Sequence, residues 1–421
     1  MARSFDILVI GAGPAGLAAA CCAAESGRRV CIVDDNPDLG GQIWRNEPAK
    51  PSSKEAARWF KRVRLARCEF LPGAQVISQP RPGCLLVDEK GHARELPYQK
   101  IILATGAREL FLPFPGWTLP NVMGAGGLQA LVKGGMLIKG KRVAVAGSGP
   151  LLLAVAAYLQ NQGAEICLIA EQTPLRNLLR FALGLWKQPG KLRQAVQLKW
   201  QLRRVRYLAG CWPIAAEGHD QLTSITFSTG KKSWTVPCDY LACGFGLVPN
   251  VELPALLGCE TTSRGACVDE MQQSSVPGVY CAGETTGIGG LDLALIEGQI
   301  AGYAAAGLEN KARAIFAARL RARRFAGLLE ETFALRQELR DLATPATIVC
   351  RCEDVPHGKL RLYTSWTDAK LQTRCGMGPC QGRICGPATE FLFGWKPLSV
   401  RPPLFPTDLV NLAGIYSESG P

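Results

Sequence analysis

Cysteines near the end of the chain form a pattern typical of metal centres. Cys350 and Cys352 are separated by one residue, and after 27 further residues Cys380 and Cys385 follow with four residues between them. Four thiolates from two short loops suit either zinc or a [2Fe–2S] cluster. Zinc sites usually use CxxC pairs, so the CxC pair favours the cluster over zinc and over purely structural thiols. Cys375 has the same spacing to Cys380 as Cys385 has, and spacing alone does not exclude it as a ligand.

A glycine-rich turn at the start of the chain predicts a dinucleotide-binding site. A β-branched run leads into GAGPAG at residues 11–16, a helix of small residues follows, and a second strand ends at Asp34. Gly11 permits the tight turn, Gly13 lets the backbone approach a pyrophosphate, and Gly16 lets helix and strand pack closely. The helix N-terminus offers N–H groups to phosphate, and Asp34 is placed to accept from a ribose hydroxyl. We therefore expect cofactor contacts from Gly11, Gly13, Pro14, Ala15, Gly16, Asp34 and Asp35.

Three further motifs resemble those of flavoproteins with two dinucleotide-binding domains. A buried strand ends in ATG at residues 104–106, a later strand is followed by Gly283 and Glu284, and LGGQIWR at residues 39–45 follows the second strand. In that superfamily the acid after AG reaches the ribityl-phosphate region of the flavin. The resemblance implies FAD rather than NAD at the first site, with further contacts from Gly41, Gln42, Ala104, Thr105, Gly106, Gly283 and Glu284.

A second strand–turn–helix–strand pattern begins at residue 141. Its turn contains Gly147 and Gly149, but Leu152 stands at the third glycine position, where it should push helix from strand and narrow the space for a pyrophosphate. Glu171 could still meet a ribose hydroxyl. A working NAD(H) site stays open, although we favour a vestigial site or one for another nucleotide such as ATP. No arginine is placed for a 2′-phosphate, which disfavours NADP.

The order of these motifs predicts an α/β fold, a two-dinucleotide-binding-domain flavoprotein with a small [2Fe–2S] domain. The expected segments are a discontinuous FAD-binding domain (1–115 and 246–310), an inserted NAD(P)-like Rossmann domain (116–245), a helical linker (311–344), the [2Fe–2S] domain (345–400) and a tail (401–421).

The usual partners of a flavin are missing from the sequence. No CxxxxC follows the GG turn, the inserted domain has no CxxC, and none of His92, His219 and His357 stands beside a plausible acid in a flavin motif. Thiol exchange and general-base catalysis by a His–Glu pair are therefore poorly supported. Some other group is expected to exchange electrons with the flavin.

The net charge of +13 is concentrated in one insertion. Residues 171–210 hold nine Lys or Arg against Glu171 alone, a net charge of +8. A pair of solvated helices is the favoured interpretation, and an acidic partner or an anionic membrane face are the alternatives. Nucleic-acid binding is not expected, because no binding motif accompanies the charge. With no secretory leader and no apolar run of about 20 residues, we expect a cytoplasmic protein, with peripheral attachment at the inner face of the cell membrane as an alternative.

The C-terminal run GMGPCQGRIC, with the CxC pair before it, resembles the bacterioferritin-associated-ferredoxin-like domain. The whole chain resembles the α-type subunits of heteromeric amino-acid and opine dehydrogenases, which include D-hydroxyproline dehydrogenase, opine oxidase, hydrogen cyanide synthase and dye-linked L-proline dehydrogenase. That resemblance implies cluster ligands Cys350, Cys352, Cys380 and Cys385, with Cys375 as a spare. The implied partners are a D-amino-acid-oxidase-like FAD β subunit, often a small ferredoxin-like γ subunit, and a quinone or other electron acceptor.

Three functions follow as hypotheses. The first is an electron-transfer subunit of such a dehydrogenase, with amine oxidation on the partner, D-hydroxyproline as the preferred substrate, and opines, glycine and proline open. The second is a self-sufficient NADH-dependent FAD/[2Fe–2S] reductase, which Leu152 disfavours. The third is a non-catalytic redox sensor or scaffold.

Overall fold

A computed structural model describes residues 4–46, 53–396 and 400–416 of the chain. These residues divide into two units. Unit 1 comprises residues 1–108, 248–326 and 399–421, and unit 2 comprises residues 109–247 and 327–398. The cysteine-rich segment therefore belongs to the same unit as the inserted domain. The predicted tail is described as far as residue 416.

The strands of the described residues are, in chain order, β1 (Phe5–Ile10), β2 (Val30–Asp34), β3 (Glu69–Pro72), β4 (Ala74–Arg81), β5 (Cys84–Glu89), β6 (His92–Leu103), β7 (Ala107–Glu109), β8 (Val122–Gly124), β9 (Arg142–Gly147), β10 (Glu165–Glu171), β11 (Arg206–Ala209), β12 (Trp212–Glu217), β13 (Ser224–Ser228), β14 (Ser233–Pro237), β15 (Tyr240–Gly244), β16 (Leu247–Pro249), β17 (Thr261–Thr262), β18 (Gly265–Ala266), β19 (Val279–Cys281), β20 (Ile348–Cys350) and β21 (Val355–Pro356).

The α-helices are α1 (Pro14–Ala24), α2 (Lys54–Ala66), α3 (Ala125–Lys133), α4 (Leu151–Asn161), α5 (Leu175–Gly184), α6 (Pro189–Gln201), α7 (Glu252–Leu256), α8 (Gly290–Ala305), α9 (Glu309–Arg313), α10 (Phe316–Thr332), α11 (His357–Leu360), α12 (Trp366–Thr373), α13 (Cys385–Phe393) and α14 (Leu409–Tyr416). Short 3₁₀ helices cover Leu185–Lys187, Gly283–Thr286 and Gln337–Asp341. Among the helices of the described residues, none combines the length and apolarity needed to cross a bilayer.

Unit 1 contains a parallel sheet in the order β3-β2-β1-β6, and β19 extends it beyond β6. The N-terminal half of β6 instead pairs antiparallel with β5, which pairs with β4. β1 reads FDILVI and is buried along almost its whole length, as expected of a parallel strand covered on both faces. This sheet brings the ends of β1, β2, β6 and β19 to one edge, where ligands bind in doubly wound folds.

Close packing of α1 against α8 fixes the first glycine-rich turn. A Cβ on Gly298 would lie 2.2 Å from the Ala15 carbonyl oxygen, and a Cβ on Gly302 would lie 2.3 Å from that of Ala19. The two helices therefore approach at a distance that only glycine permits. This contact joins the helix of the first motif to the helix that follows Gly283.

Unit 2 repeats the parallel architecture in the order β11-β10-β9-β15-β8. A three-stranded antiparallel sheet, β12-β13-β14, follows β11 in the chain. Leu339 and Leu342, in the segment after α10, are buried in the same hydrophobic cluster as residues of strands β9, β10 and β15. The cysteine-rich segment adds the hairpin β20–β21 and helices α11 to α13 around its own small core.

Candidate functional site

The first glycine-rich turn lies between β1 and α1 at the edge of the unit 1 sheet. A Cβ on Gly11, whose φ is +105°, would lie 2.2 Å from the Ala104 carbonyl oxygen, and one on Gly16 would lie 1.8 Å from that of Gly11. Both positions are thus closed to any side chain. Asp34 is buried at the end of β2, where its carboxylate accepts from the Ala12 and Asn36 N–H groups.

Gly13 differs from its neighbours because it faces open space. A Cβ there would meet only the Gly41 Cα atom, 4.0 Å away. A Cβ on Gly41 would lie 2.8 Å from the Gly13 Cα atom. The two bare backbones therefore leave a space beside the α1 N-terminus, where a phosphate can approach the N–H groups. Gln42 and Asp35 are exposed at the same end of the sheet.

The third part of this site joins the end of β6 to the segment after β19. The Thr105 hydroxyl donates to the Asn250 carbonyl oxygen at 2.8 Å, and the Gly106 N–H donates to the Thr285 hydroxyl at 3.0 Å. The Asn250 amide returns a hydrogen bond to the Thr105 carbonyl oxygen at 2.8 Å. The structure thus brings the ATG and GE motifs together, with Asn250 and Thr285 as braces that the sequence motifs did not include.

Glu284 is the residue of unit 1 that points most directly to a bound ligand. Its Oε1 atom accepts from the Gly290 N–H at 2.8 Å, whereas its Oε2 atom is buried without a hydrogen-bond partner among the described residues. Burial raises the pKa of this carboxyl. A buried acceptor without a partner is costly, so a donor from a ligand such as a ribityl hydroxyl fits this position. The donor set of unit 1 therefore fits FAD.

A second buried acid, Glu297 on α8, binds the turn that carries Glu284. Its carboxylate accepts from the Thr286 hydroxyl at 2.8 Å and the Gly283 N–H at 3.2 Å. Arg323 on α10 donates to it at 3.0 Å. This acid holds the GETT turn in place, and an acid between apolar residues in the middle of α8 is the sequence signal that could have revealed it.

The corresponding turn of unit 2 is closed around its own acid. Glu171, which is 1% exposed, accepts from the Gly149 N–H at 2.8 Å and the Thr173 N–H at 2.9 Å. Burial raises its pKa to about 6. Leu152 lies inside the hydrophobic cluster of β9 and α4.

Residues 333–336, which we call the strap, cover this second turn. The Ser148 hydroxyl donates to the Phe333 carbonyl oxygen at 3.0 Å, and the Phe333 ring lies 3.9 Å from where a Cβ of Gly149 would be. The Gln172 amide donates to the Ala334 carbonyl oxygen at 3.1 Å and accepts from the Arg336 N–H at 3.3 Å. The surface that a pyrophosphate would contact in a dinucleotide-binding turn is therefore occupied by the chain itself.

The five C-terminal cysteines converge in unit 2. The Sγ atoms of Cys350, Cys375 and Cys385 all lie within 4.8 Å of one another, and all three residues are buried. Cys385 also hydrogen-bonds Cys380, which hydrogen-bonds Cys352. The structure thus gathers the four cysteines that the family resemblance implies as ligands, together with Cys375, which the resemblance leaves as a spare.

Charge explains why these thiols suit a metal centre. Hydrogen bonds from Cys375 and Cys385 lower the pKa of Cys350 to about 2, and the bond from Cys385 lowers that of Cys380 to about 5. The bond to Cys350 raises the pKa of Cys375 to about 12, and the pKa of Cys385 is raised for the same reason. Protons are shared because several thiolates cannot stay close together without a cation. Iron would supply that positive charge, so the donor set fits a [2Fe–2S] cluster.

The loop geometry around the thiols requires glycine. A Cβ on Gly378 would lie 2.3 Å from the Cys352 Cβ atom, and one on Gly376 would lie 2.7 Å from the Trp366 ring. These close approaches explain the glycines of the GMG run. They also hold the CxC turn against the loop that carries Cys380.

The three histidines lie in three different settings. His357 is buried and stacked on Phe393, and burial lowers its pKa. His219 is exposed beside Asp220, and His92 is exposed at the start of β6. None of the three lies in a flavin motif.

Two parallel sheets with glycine-rich turns, a FAD-type donor set and a small thiol centre define a two-dinucleotide-domain flavoprotein. The sequence profile of the pyridine nucleotide-disulphide oxidoreductases matches residues 5–306. The chain belongs to this oxidoreductase family, which confirms the predicted α/β fold class and FAD as the cofactor.

Named relatives narrow the class further. The chain is 33% identical to an opine oxidase subunit of Rhizobium meliloti (strain 1021), over 98% of this chain and 99% of the relative. It is 31% identical to the hydrogen cyanide synthase subunit HcnB of Pseudomonas aeruginosa, over 90% of each chain. Among solved structures it resembles L-proline dehydrogenase from P. horikoshii, with a TM-score of 0.68 at 18% identity, over 99% of this chain and 80% of that one. The predicted resemblance to subunits of amino-acid and opine dehydrogenases is confirmed, and the chain is a flavin dehydrogenase subunit.

Proposed function

We propose that this chain is the electron-transfer subunit of a heteromeric dehydrogenase that oxidises the amine of an amino acid or opine on a partner flavoprotein. The observation that carries the proposal is the combination found in the described residues. A FAD-type site and a centre of five converging thiols occur without a redox-active CxxC pair and without a histidine base at the flavin motifs.

The residues proposed to hold each group are those of the sequence motifs, and the geometry described above supports the proposal. FAD would be bound by Gly11, Gly13, Pro14, Ala15, Gly16, Asp34, Asp35, Gly41, Gln42, Ala104, Thr105, Gly106, Gly283 and Glu284. The cluster would be bound by Cys350, Cys352, Cys380 and Cys385, with Cys375 as a neighbouring thiol. When bound, the two groups would supply two-electron and one-electron transfer. The chain's own residues bind and orient them, through the glycine turns, the buried acids and the thiol loops.

The partners proposed for this chain are a D-amino-acid-oxidase-like β subunit, a small ferredoxin-like γ subunit, and a quinone or other acceptor. The names of the relatives, which are subunits, support a multi-chain assembly. D-hydroxyproline is the first substrate to test, with opines, glycine and proline beside it. A cytoplasmic protein attached at the inner face of the cell membrane fits delivery of electrons to a quinone.

The alternative, a self-sufficient NADH-dependent reductase, needs an accessible nucleotide site in unit 2. The strap over Ser148 and Gly149 disfavours it. For an NADH site to work, residues 333–336 would first have to leave the turn.

Anaerobic reduction of the flavin separates the two functions. The isolated chain, loaded with FAD and iron, is mixed with NADH or with each amino acid, and the visible flavin absorbance is followed. We expect the amino acid to bleach the flavin only after the partner flavoprotein is added, and NADH to leave it oxidised. Rapid bleaching by NADH in the isolated chain would support the reductase instead.

A further inference from the structure

Helices α5 and α6 present apolar side chains to the outside of unit 2. No residue of either helix is buried. The large apolar residues that are most exposed recur at every fourth position of both helices, so in each helix they line one stripe. Their exposed fractions run from 38% to 74%. The stripe residues are Leu175, Leu179 and Leu183 in α5, and Leu192, Val196 and Trp200 in α6.

This arrangement is unusual for the chain as a whole. With Trp186, which is 73% exposed between the helices, these residues make up seven of the twenty large hydrophobic side chains that are exposed in the described part of the chain. All seven fall between residues 175 and 200. Large apolar side chains exposed together in one short segment, rather than scattered singly, indicate a binding face.

Both helices also have an inner face that already packs on unit 2. The rings of Phe181 in α5 and Phe333 meet edge to face, with their centres 5.2 Å apart, and Leu198 in α6 packs against the hydrophobic cluster of β9 and α4. These inner contacts attach the two helices to unit 2. The outer stripe is additional apolar surface.

The charge of the segment that carries the stripe has one sign. Between residues 172 and 216 the chain has nine Lys or Arg and no Asp or Glu. Arg176 and Arg180 each follow a stripe leucine of α5 directly in sequence, and both are exposed. The Arg203 guanidinium lies 4.4 Å from the centre of the Trp200 ring. Leucine and tryptophan on one side and arginine and lysine around them are the composition of helices that lie in a membrane interface.

We propose that residues 175–201, the basic helix pair, insert their stripe into the headgroup region of an anionic bilayer. The cores of protein–protein interfaces are depleted of charge, whereas anionic lipid meets many cations at once. The inference rests on the membrane-attached function proposed above and names the surface that would make the attachment. It places the binding energy in two exposed helices and requires no membrane-spanning segment.

The test is flotation of the full chain with vesicles. The vesicles contain either phosphatidylglycerol with phosphatidylethanolamine, or phosphatidylcholine alone. We expect binding to the anionic vesicles that weakens as salt is raised, and little binding to the neutral ones. The double variant Leu179→Ser, Val196→Ser should bind at least about tenfold more weakly, because two apolar side chains no longer enter the lipid. Leu137→Ser is the matched control, because Leu137 is 87% exposed in unit 2 outside the helix pair, and it should bind as the wild type does.

Tryptophan quenching by brominated lipid gives a second readout. Quenching should appear with anionic vesicles and should be lost in Trp186→Phe, Trp200→Phe. Equal flotation of the wild type and the serine double variant would overturn the proposal, as would no flotation of the wild type. If the wild type ignores vesicles while the partner flavoprotein protects these helices from hydrogen exchange, the stripe is a contact with that partner.

Failure of this inference can be told from failure of the proposed function. Vesicle binding needs neither substrate nor partner, and turnover of the reconstituted complex with a dye as acceptor needs no vesicles. The double variant should keep that turnover at the wild-type rate.

Discussion

The strap over the second glycine-rich turn can be loosened at one residue, Gln172. This side chain is fully buried, and its amide joins the turn to the strap through one hydrogen bond to the Ala334 carbonyl oxygen and one from the Arg336 N–H. Substitution Gln172→Ala removes both bonds to the strap, together with the bonds that the amide donates to the Ser148 and Thr173 hydroxyls within the turn. In the variant, the Ala334 carbonyl oxygen and the Arg336 N–H lose their hydrogen bonds to residue 172 as long as the strap stays on the turn.

The expected effect on the stability of the strap follows from the two bonds that Gln172 makes to it. At about 1 to 1.5 kcal/mol net for each, the strap should be destabilised by about 2 to 3 kcal/mol. At about 1.4 kcal/mol for each factor of ten, the open population should rise about 30- to 150-fold.

Hydrogen–deuterium exchange measured by mass spectrometry reads this population directly. Peptides that cover residues 333–336 should exchange faster by about that factor, while peptides from the first glycine-rich turn in unit 1 should not change. Gln194→Ala is the matched control, because Gln194 is exposed on α6. Exchange of the strap at the wild-type rate in Gln172→Ala would refute the account of the strap. Faster exchange of the wild-type strap on addition of NADH would show that a nucleotide displaces it.

Three further predictions concern the two cofactor sites. Cys385→Ser should remove the visible and electron paramagnetic resonance signals of the cluster, whereas Cys375→Ser should keep the iron content; the reverse result would show that the proposed ligand set is wrong. Gly13→Val should exclude FAD without unfolding the chain, because a Cβ there meets only an atom 4.0 Å away, so iron content and circular dichroism should stay normal; loss of iron as well would show that the sites depend on each other. Glu297→Ala should lower the free energy of unfolding by about 2 to 4 kcal/mol in urea titration, because the buried Gly283 N–H loses its acceptor; an unchanged midpoint would mean that Glu297 does not brace the turn.

Local motifs were predictable from the sequence where the residues that determine the local structure lie in the motif itself. Gly16 packs against Gly11 inside the turn, where no side chain fits, so the glycines identify the turn from its own residues, although Gly11 also packs against the distant Ala104 carbonyl oxygen. Glu284 comes soon after the end of β19 at Cys281, and the family resemblance implies its place beside the flavin site. The CxC pair at residues 350–352 and the GMG run at residues 376–378 are likewise each a short motif that can be read by itself.

Contacts between distant segments could not be predicted in the same way. The strap reaches Ser148 from 185 residues away, and nothing in its composition identifies it as a cover for the turn. Leu152 led us to expect a narrowed nucleotide site, but the clearest obstruction is the strap, while Leu152 lies in the core. Cys375 shares its spacing with a predicted ligand, and only the fold of the loops shows that it faces Cys350 and Cys385.

The outer stripe of the basic helix pair shows a different limit. The sequence indicated the charge and a pair of helices, and solvated helices were the favoured interpretation. Both helices have apolar residues on two faces, and periodicity alone does not say which face packs on the protein. Exposure in the folded chain separates the inner residues such as Phe181 from the outer ones such as Leu179.

The most direct test of the central claim is purification of the tagged chain from its native host in gentle salt, with each co-purifying chain identified and flavin and iron counted. The account predicts a stoichiometric second flavoprotein, FAD and two iron atoms bound to this chain, and flavin reduction by an amino acid or opine. A chain that purifies alone with FAD and iron, and whose flavin NADH reduces, would contradict the account.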